Sequence, residues 1–262
     1  MKRLLFFCLL LIALLAAAAA PGDFHFVIIG DRTGEAQPGI WDRVWRDAAA
    51  SQPAFIISVG DVIQGLDDAT AESQWLEMER TIAPYRKIPL YLTPGNHDIW
   101  SKASEDLYRK HAGRPLQYSF DYGPAHFIVL DNSRSDALPP AELAFLESDL
   151  KDHPDAAVKF VIMHRPSWIT NPSLFQIAKR HNIRCWIAGH VHQLIHMEFE
   201  GVTWYAVPSA GGHLRLTAKY EDGWFFGWTR VDVKGTEVTF QIQDLNSHKT
   251  SLNDWGLSGL KR

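Results

Sequence analysis

The sequence predicts an α/β fold built around a largely parallel sheet, and three observations support this prediction. Short runs rich in β-branched residues alternate with amphipathic stretches of helical spacing through residues 24–188. Strands joined through helices run parallel, whereas the hairpin patterns after Gln193 predict antiparallel additions. Of the 262 residues, 46% are apolar and 21% charged, which is the composition of a globular chain and not of a disordered one.

The first half of the chain alternates strand and helix. The predicted strands are 24–29, 54–59 and 89–93, and the predicted helices are 40–50, 69–82 and 102–111. The helix 40–50 has the clearest pattern, because Trp41, Val44 and Trp45 fall at positions i, i+3 and i+4 and form one apolar face.

The second half adds hairpins to the alternation. Its first predicted hairpin turns at Tyr122-Gly123-Pro124. The other predicted strands and helices are the hairpin strands 117–121 and 126–130, the helix 140–150, the strand 158–163, the helix 173–180, the strand 184–188, and the hairpins 196–200 with 203–207 and 227–233 with 237–243. No repeat or linker interrupts the pattern, so we expect one domain, 20–245, followed by a polar tail, 246–262.

Residues 1–19 are predicted to form a cleaved signal peptide. Lys2 and Arg3 precede an apolar run that continues to Ala20 and ends in an alanine tract, so that cleavage after Ala19 follows small residues. The alternative is a membrane anchor, but the run is at the lower limit of length for spanning a bilayer. We therefore expect an exported protein, periplasmic or secreted, with no stable membrane anchor.

Charge and cysteine content argue against two other classes of protein. The net charge is −4 and no basic block is present, so a nucleic-acid partner is not expected. Two cysteines cannot form a disulfide framework. Cys8 lies in the predicted signal, and Cys185 lies in an apolar segment and is interpreted as a core residue.

Five predicted strands end in residues that can bind metal ions. These ends are Gly30-Asp31, Gly60-Asp61, Gly95-Asn96-His97-Asp98, His164 and Gly189-His190-Val191-His192. Singly, each has an ordinary explanation, since an Asp after a strand commonly caps a turn. Together they predict a ligand site, because the carboxyl ends of strands carry the ligands in folds of this class.

In this order, the five blocks resemble the calcineurin-like metallophosphoesterases, the superfamily that includes purple acid phosphatases and cyclic-nucleotide phosphodiesterases. The resemblance covers about residues 24–213 and includes the hairpin at 118–131. It implies a four-layer α/β/β/α sandwich of two mixed sheets. It also implies two divalent metal ions, of Mn, Fe, Zn or Mg, and hydrolysis of a small phosphoester by a metal-activated hydroxide.

The resemblance also implies a role for each residue of the blocks. Asp61 takes the place of the ligand that bridges the two metal ions. The other implied ligands are Asp31 and His192 at metal one, and Asn96, His164 and His190 at metal two.

His97 takes the place of the residue that protonates the leaving group, and Asp98 is expected to orient the imidazole of His97. The alternative for Asp98 is an N-cap of the turn that follows it. Arg32 and Asn96 are candidate contacts of the substrate. Arg32 could clamp a phosphoryl oxygen, and the alternative is an exposed arginine or one that pairs with Glu35.

Two positions depart from the family's pattern. Thr33 stands where many members have a histidine ligand of metal one, and Gln64 stands where purple acid phosphatases have a tyrosine. Gln64 is therefore a candidate weak oxygen ligand, no purple Fe(III) centre is expected, and metal one is expected to be labile.

The sequence thus predicts an exported phosphoesterase acting on a phosphomonoester or a phosphodiester. A catalytically silent metal- or phosphate-binding protein on the same scaffold is the alternative, which Thr33 favours and the intact His97-Asp98 pair opposes. A membrane-tethered structural module is a third reading if residues 1–19 stay attached.

Overall fold

The computed structural model describes residues 22–214 and 219–255. Twelve strands and five α-helices are assigned within these residues. The strands are β1 (Asp23–Ile29), β2 (Ile56–Ser58), β3 (Leu90–Leu92), β4 (Tyr118–Tyr122), β5 (Ala125–Val129), β6 (Val158–Ile162), β7 (Cys185–Ala188), β8 (Ile195–Phe199), β9 (Val202–Ala206), β10 (Gly227–Lys234), β11 (Glu237–Asp244) and β12 (Lys249–Ser251). The helices are α1 (Ile40–Ala50), α2 (Asp68–Ile82), α3 (Lys102–Ala112), α4 (Pro140–Asp152) and α5 (Ser173–His181).

The strands form two six-stranded mixed sheets. The first has the order β12-β11-β10-β1-β2-β3, in which β1, β2 and β3 are parallel and the others antiparallel. The second has the order β4-β5-β6-β7-β9-β8, with a parallel centre and an antiparallel strand at each edge. The expectation of two mixed sheets with helices is confirmed.

The sheets pack face to face through a core rich in aromatic residues. Phe26 and Phe55 of the first sheet stack at a centroid distance of 5.1 Å, and Phe127 and Phe160 of the second stack at 4.8 Å. Phe26 meets Phe127 edge to face at 5.2 Å across the interface. Aromatic rings bury large apolar areas and prefer such geometries, so they fix the two sheets against each other.

Helices cover the outer faces of both sheets. Helix α1 places Trp41 and Trp45 against the outer residues of β1, as the i, i+3, i+4 pattern predicts. Helices α4 and α5 cover the second sheet through a cluster that includes Leu146, Leu174 and Trp186. Because both faces of the central strands are buried, their sequences are continuously apolar and do not alternate. No helix within the described residues is long and apolar enough to cross a membrane.

The end of the described chain joins the two sheets. Strand β12, which the polar composition after Asn246 does not predict, pairs with β11, and the side chain of Leu252 is buried in the core between the sheets. The carbonyl oxygen of Trp255 lies 2.6 Å from Nδ1 of His196, which belongs to the second sheet. The predicted signal peptide 1–19 and the last residues of the predicted tail, 256–262, lie outside the described residues.

Candidate metal centre

Five loops converge at one end of the two sheets. They follow β1, β2 and β3 in the first sheet and β6 and β7 in the second. They carry the six predicted ligands that match the family's pattern: Asp31, Asp61, Asn96, His164, His190 and His192. Since these strands are parallel within each sheet, their carboxyl ends bring residues distant in sequence to one edge.

Three of these residues have an unusual backbone conformation. The φ angle is 56° at Asp61, 69° at His190 and 55° at His192, all in the left-handed region. Residues with a side chain seldom adopt this region and do so mainly where the surrounding structure enforces it. Such strained residues cluster at functional sites, and these three lie in the converging loops.

One set of donors surrounds the Nε2 atom of His164. This atom lies 3.3 Å from Oδ2 of Asp61, 3.0 Å from Oδ1 of Asn96 and 3.2 Å from Nδ1 of His190. Asp61, His164 and His190 each offer a ligand atom within 4.8 Å of the others. Together with Asn96, they are the four residues predicted to hold metal two.

Backbone carbonyls determine which ring nitrogen two of the histidines present. Nδ1 of His164 lies 2.8 Å from the carbonyl oxygen of Val59, and Nδ1 of His192 lies 2.8 Å from that of His213. A carbonyl only accepts, so Nδ1 carries the proton in both rings and donates it there. Nε2 is therefore the atom that each ring presents to a metal ion, as at many metal sites.

Asp31 lies behind these histidines and is fully buried. Its two carboxylate oxygens accept from the backbone N–H of His190 at 2.9 and 3.0 Å. Its Oδ1 is 3.9 Å from Nε2 of His192 and 3.8 Å from Nδ1 of His164. Asp31 and His192 thus come together as a second, smaller donor set beside the first.

The charges of the cluster show that it suits a cation. Burial opposes ionisation of Asp61, but the charge and hydrogen bond of His164 outweigh burial and lower the pKa of Asp61 to about 2. Burial likewise opposes protonation of His164, but Asp61 and then Asp31 raise its pKa to about 9. A proton on Nε2 of His164 therefore occupies the centre of the donor set. A divalent metal ion would replace this proton, and the carboxylate, amide and imidazole donors fit such an ion.

His190 remains neutral beside this charge. Burial first, and then the charges of His164 and Arg165, lower the pKa of His190 to about 4. Burial raises the pKa of Asp31 above its ordinary value. A neutral imidazole is the form that binds a metal ion, so His190 needs no deprotonation at neutral pH.

His97 is oriented by a backbone carbonyl and not by its neighbour in sequence. Nδ1 of His97 lies 2.6 Å from the carbonyl oxygen of Gln64, and its backbone N–H donates to Oδ1 of Asp61 at 2.8 Å. The prediction that Asp98 orients the imidazole is therefore wrong. The loop after β2 provides this contact.

Asp98 instead joins two of the converging loops. Its buried carboxylate accepts from the backbone N–H groups of Asp61 at 2.7 Å, Val62 at 2.9 Å and Gly95 at 2.9 Å. Burial and then the charge of Asp61 raise the pKa of Asp98 to about 7, against the effect of these donors. The alternative, an N-cap of the turn that follows Asp98, is also wrong, because the backbone N–H groups of Trp100 and Ser101 donate to the hydroxyl of Ser104 and not to Asp98.

Arg32 contacts the loop after β2 and helix α2. Its guanidinium donates to the carbonyl oxygen of Val62 at 3.1 Å and to Oε1 of Glu77 on α2 at 2.6 Å. The alternative pairing with Glu35 is therefore wrong, and these contacts do not support the predicted phosphate clamp. The arginine holds the loop after β1 to α2.

Thr33 and Gln64 contact each other beside Asp31. The buried Thr33 hydroxyl donates to Oε1 of Gln64, and the backbone N–H of Glu35 donates to the same oxygen at 3.2 Å. Both lone pairs of the amide oxygen are thus used. This arrangement does not support the predicted ligand role of Gln64.

Arg165, which no sequence motif singled out, also reaches the cluster. Nη1 of Arg165 lies 3.1 Å from Nε2 of His190 and 2.6 Å from Oδ1 of Asp136. The side-chain oxygen of the buried Asn132 accepts from the backbone N–H groups of His164 and Arg165, both at 3.0 Å. The position of Arg165 next to His164 was a visible signal, but the direction of its side chain was not.

Two clefts flank His190. One, of about 330 Å³, is lined by His190, Val191, His192, Gln193, Ile195, His213 and Trp224. The other, of about 200 Å³, is lined by Asp136, Arg165, Pro166, Ile169, Thr170 and His190. The donor cluster therefore opens to solvent-accessible space on both sides, where a substrate could approach it.

Comparison with protein families and curated proteins gives consistent results. The family model described as calcineurin-like phosphoesterase matches residues 21–194. The 3',5'-cyclic adenosine monophosphate phosphodiesterase CpdA of Escherichia coli K12 is 26% identical over 204 residues, which are 71% of this chain and 70% of that protein. CpdA of Vibrio vulnificus is 26% identical over 216 residues, 74% of this chain and 75% of that protein.

Solved structures support the fold. The purple acid phosphatase PPD1 from yellow lupin has a TM-score of 0.67 at 13% identity over 87% of this chain, which spans about half (53%) of that protein. GAP50, the anchor in the inner membrane complex of Plasmodium, has a TM-score of 0.65 at 14% identity, with 88% of this chain and 89% of that protein covered.

Proposed function

The chain belongs to the calcineurin-like phosphoesterases and is a hydrolase of phosphoric esters, and from that premise we propose that it cleaves a small phosphodiester at the centre formed by the five loops. The observation that carries the proposal is the buried donor set around Nε2 of His164, with His97 beside it. The similarity to two phosphodiesterases of cyclic adenosine monophosphate favours a diester, and a cyclic nucleotide in particular, over a monoester.

The residues Asp61, Asn96, His164 and His190 would hold one metal ion, and Asp31, Asp61 and His192 a second. Bound divalent ions supply Lewis acidity to the phosphoryl oxygens and lower the pKa of water. The second set contains one imidazole, since Thr33 replaces a histidine and the Gln64 oxygen is already hydrogen-bonded. We therefore infer that the ion at Asp31 and His192 is the more weakly held.

His97 is the proposed proton donor. With Nδ1 donating to the carbonyl of Gln64, its Nε2 can take up a proton and pass it to the oxygen of the departing alcohol. The backbone hydrogen bond from His97 to Asp61 fixes its position relative to the donor cluster. An alcohol leaves poorly as an alkoxide, so this protonation matters most for such leaving groups.

Arg165 takes the role that Arg32 was expected to have. Its guanidinium lines the smaller cleft and lies within hydrogen-bond distance of His190. An arginine presents several donors in one plane, which suits a phosphoryl group. We infer that Arg165 contacts an anionic oxygen of the substrate and that Asp136 holds the guanidinium before it binds.

Export remains a proposal that rests on the sequence. Lys2, Arg3 and the apolar run to Ala20 support cleavage after residue 19 and a periplasmic or secreted location. N-terminal sequencing of the protein from a bacterial host should begin near Ala20. An intact Met1 on membrane-bound protein would favour the tethered form.

The second candidate is a binding protein without activity, which Thr33 favours. A substrate panel separates the two functions. The panel comprises 3',5'-cyclic AMP, bis(p-nitrophenyl) phosphate and p-nitrophenyl phosphate, each with added Mn²⁺ or with EDTA. We expect hydrolysis that depends on Mn²⁺, with the diesters preferred.

Matched variants make the panel specific to the proposed centre. Asp61→Asn should lower the rate by at least 100-fold, because it removes the negative charge and one of the two oxygens of the proposed shared ligand. Asp42→Asn, on the exposed face of α1, should leave the rate unchanged. A preference for p-nitrophenyl phosphate, the monoester, would overturn the proposal that the substrate is a diester. The absence of hydrolysis under every condition would establish a binding protein instead.

A further inference from the structure

A buried asparagine in the loop after β5 contacts the neighbouring loop, which carries part of the metal centre. Asn132 lies shortly after the end of β5 and is only 1% exposed. His164 and Arg165 follow β6, the parallel neighbour of β5. The first is a proposed metal ligand and the second a proposed contact of the substrate, so a residue that holds this loop can affect both.

The side chain of Asn132 continues the hydrogen bonding between the two strands beyond their ends. The backbone N–H of Leu130 donates to the carbonyl oxygen of Ile162 at 2.9 Å, as in a regular parallel pair. Further along, Oδ1 of Asn132 accepts from the backbone N–H groups of His164 and Arg165, both at 3.0 Å. The amide oxygen thus takes the place of a backbone carbonyl where the chain leaves the sheet.

The amide nitrogen of Asn132 holds the same loop. Nδ2 donates to the carbonyl oxygen of Arg165 at 2.7 Å and lies 2.8 Å from the hydroxyl oxygen of Ser167. These partners fix the orientation of the amide, because a backbone N–H only donates and a carbonyl only accepts. Both hydrogens of the amide and both lone pairs of its oxygen are used, and all four contacts are with residues 164–167.

The residues after Asn132 orient the guanidinium of Arg165. Its Nε donates to the carbonyl oxygen of Ser133 at 3.4 Å, and its Nη1 donates to Oδ1 of Asp136 at 2.6 Å. Asn132 fixes the backbone of Arg165, and these two contacts fix the other end of its side chain. A side chain that is already ordered loses little conformational freedom when it binds an anion, so the contact with a phosphoryl oxygen is preorganised.

The backbone of His164 is held on both sides. Asn132 accepts from its N–H, and its carbonyl oxygen accepts from the backbone N–H of Gly189 at 2.9 Å. Groups that orient a metal ligand contribute to metal affinity, and their removal commonly weakens binding by about 10–100-fold. Asn132 is one of the few groups that place His164, so its removal should weaken the metal ion that His164 binds.

We propose that Asn132 is a positioning residue that places both the metal ligand His164 and the phosphoryl contact Arg165 through their adjoining backbone groups. The proposal rests on the proposed function, because it gives Asn132 a part in the same centre. One amide holds two successive residues, of which one binds the metal ion and the other the substrate. Loss of the amide should therefore weaken both kinds of binding, whereas loss of a residue that only stabilises the fold should weaken neither.

The test compares Asn132→Ala with a matched variant at the other end of β6. Lys159 is 3% exposed, and its Nζ donates to the carbonyl oxygens of Pro154 and His181 at 3.0 and 3.2 Å. Lys159→Met also removes buried contacts with backbone groups, but it leaves the contacts of residues 164–167 in place. Both variants should lower the free energy of unfolding in urea, so a difference between them in binding is not an effect of stability.

Two quantities are measured on the whole protein. The affinity for Mn²⁺ is measured without substrate, from the electron paramagnetic resonance of the free ion, and KM for bis(p-nitrophenyl) phosphate is measured at saturating Mn²⁺. Asn132→Ala should weaken the tighter Mn²⁺ and raise KM, each by about fivefold or more, with a smaller change in kcat. Lys159→Met should match the wild type in both quantities.

A wild-type value of either quantity in Asn132→Ala would overturn the proposal and leave Asn132 a structural residue. If Asn132→Ala does not fold, Asn132→Ser, whose hydroxyl keeps one donor and one acceptor site, should shift both quantities by about threefold. Absence of hydrolysis by the wild type would overturn the proposed function. The affinity for Mn²⁺ would still decide whether Asn132 places His164, because that measurement needs no substrate.

Discussion

His97 and Asp98 are neighbours in sequence, but their side chains contact different parts of the site. The imidazole of His97 meets the carbonyl of Gln64, whereas the carboxylate of Asp98 is enclosed by backbone N–H groups of two loops. If His97 donates a proton and Asp98 only holds the loops, the two residues should respond differently to a change of leaving group. Two substitutions separate these roles.

His97→Ala should slow the hydrolysis of esters of poorly leaving alcohols by about 10²–10⁴-fold, the usual range for general acid catalysis. Esters that release p-nitrophenolate need little protonation and should be affected much less. The measurement is kcat for an alkyl and a nitrophenyl ester of the same phosphate class. His248→Ala, in the turn after β11, is the control, and equal losses for the two esters would contradict a proton-donor role.

Asp98→Asn should lower both the thermal stability and the activity, with the same factor for every leaving group. The NH₂ group of the asparagine is a donor, and it would face backbone N–H groups that need an acceptor. Each buried donor left without an acceptor costs about 1–3 kcal/mol. Urea unfolding and the two-ester comparison measure the two effects. A selective loss for alkyl esters would restore Asp98 as the residue that orients His97.

At the scale of the elements, close contact between loops determines the geometry of the centre. The loop after β3 approaches the loop after β2 so closely that a side chain at Gly95 would overlap the backbone nitrogen and carboxylate of Asp61. Gly95→Ala should therefore displace the carboxylate of Asp61 and reduce Mn²⁺-dependent activity by at least 100-fold. Gly22→Ala, where a side chain meets nothing, is the matched control. Activity near that of the wild type would show that the loops can separate without loss of the site.

Helix α4 carries a carboxyl group in an unfavourable environment. Burial raises the pKa of Glu142 to about 7, although the backbone N–H of Asp131 donates to it at 2.9 Å. A raised pKa means that the folded state favours the protonated form. The resulting stabilisation is fully present below about pH 4.5 and is lost as the pH rises to about 7.

Glu142→Gln should abolish this part of the pH dependence, because an amide still accepts from Asp131 but does not ionise. At pH 8 we expect the variant to be more stable than the wild type, by on the order of 2 kcal/mol, and at pH 4.5 we expect no gain. Urea midpoints at both pH values measure the difference, with the exposed Glu237→Gln as control. A gain that is the same at both pH values would show that ionisation is not its cause.

Positions along the chain were predictable from sequence, whereas directions of side chains were not. The order of strand ends placed Asp31, Asp61 and His164 at one edge because parallel strands share that edge. The contacts of Arg32 and Asp98 depend on the course of the loops, whose left-handed residues leave no pattern in the sequence. Strand β12 was missed for a different reason, since a short edge strand needs little apolar sequence.

At the scale of the whole molecule, the end of the described chain stabilises both sheets. Leu252 is only 2% exposed in the core between them. Leu252→Ala should reduce the free energy of unfolding by about 2–5 kcal/mol, the usual cost of such a truncation in a core. Leu76→Ala, at a position on α2 that is 41% exposed, should cost far less. If urea unfolding gave comparable losses of free energy for the two variants, the chain end would contribute little to the stability of the fold.

The pairing of β1 with β10 has a consequence for the synthesis of the protein. Phe24 pairs with Val233, so β1 waits for a partner that lies more than 200 residues further along the chain and is translated much later. The parallel strand β2 covers one edge of β1, but the other edge stays open until then. Contacts of such long sequence separation form slowly and leave strand edges exposed in the meantime. The open edge of β1 is therefore available to chaperones, or to a translocation channel, until β10 has been translated and has paired with it.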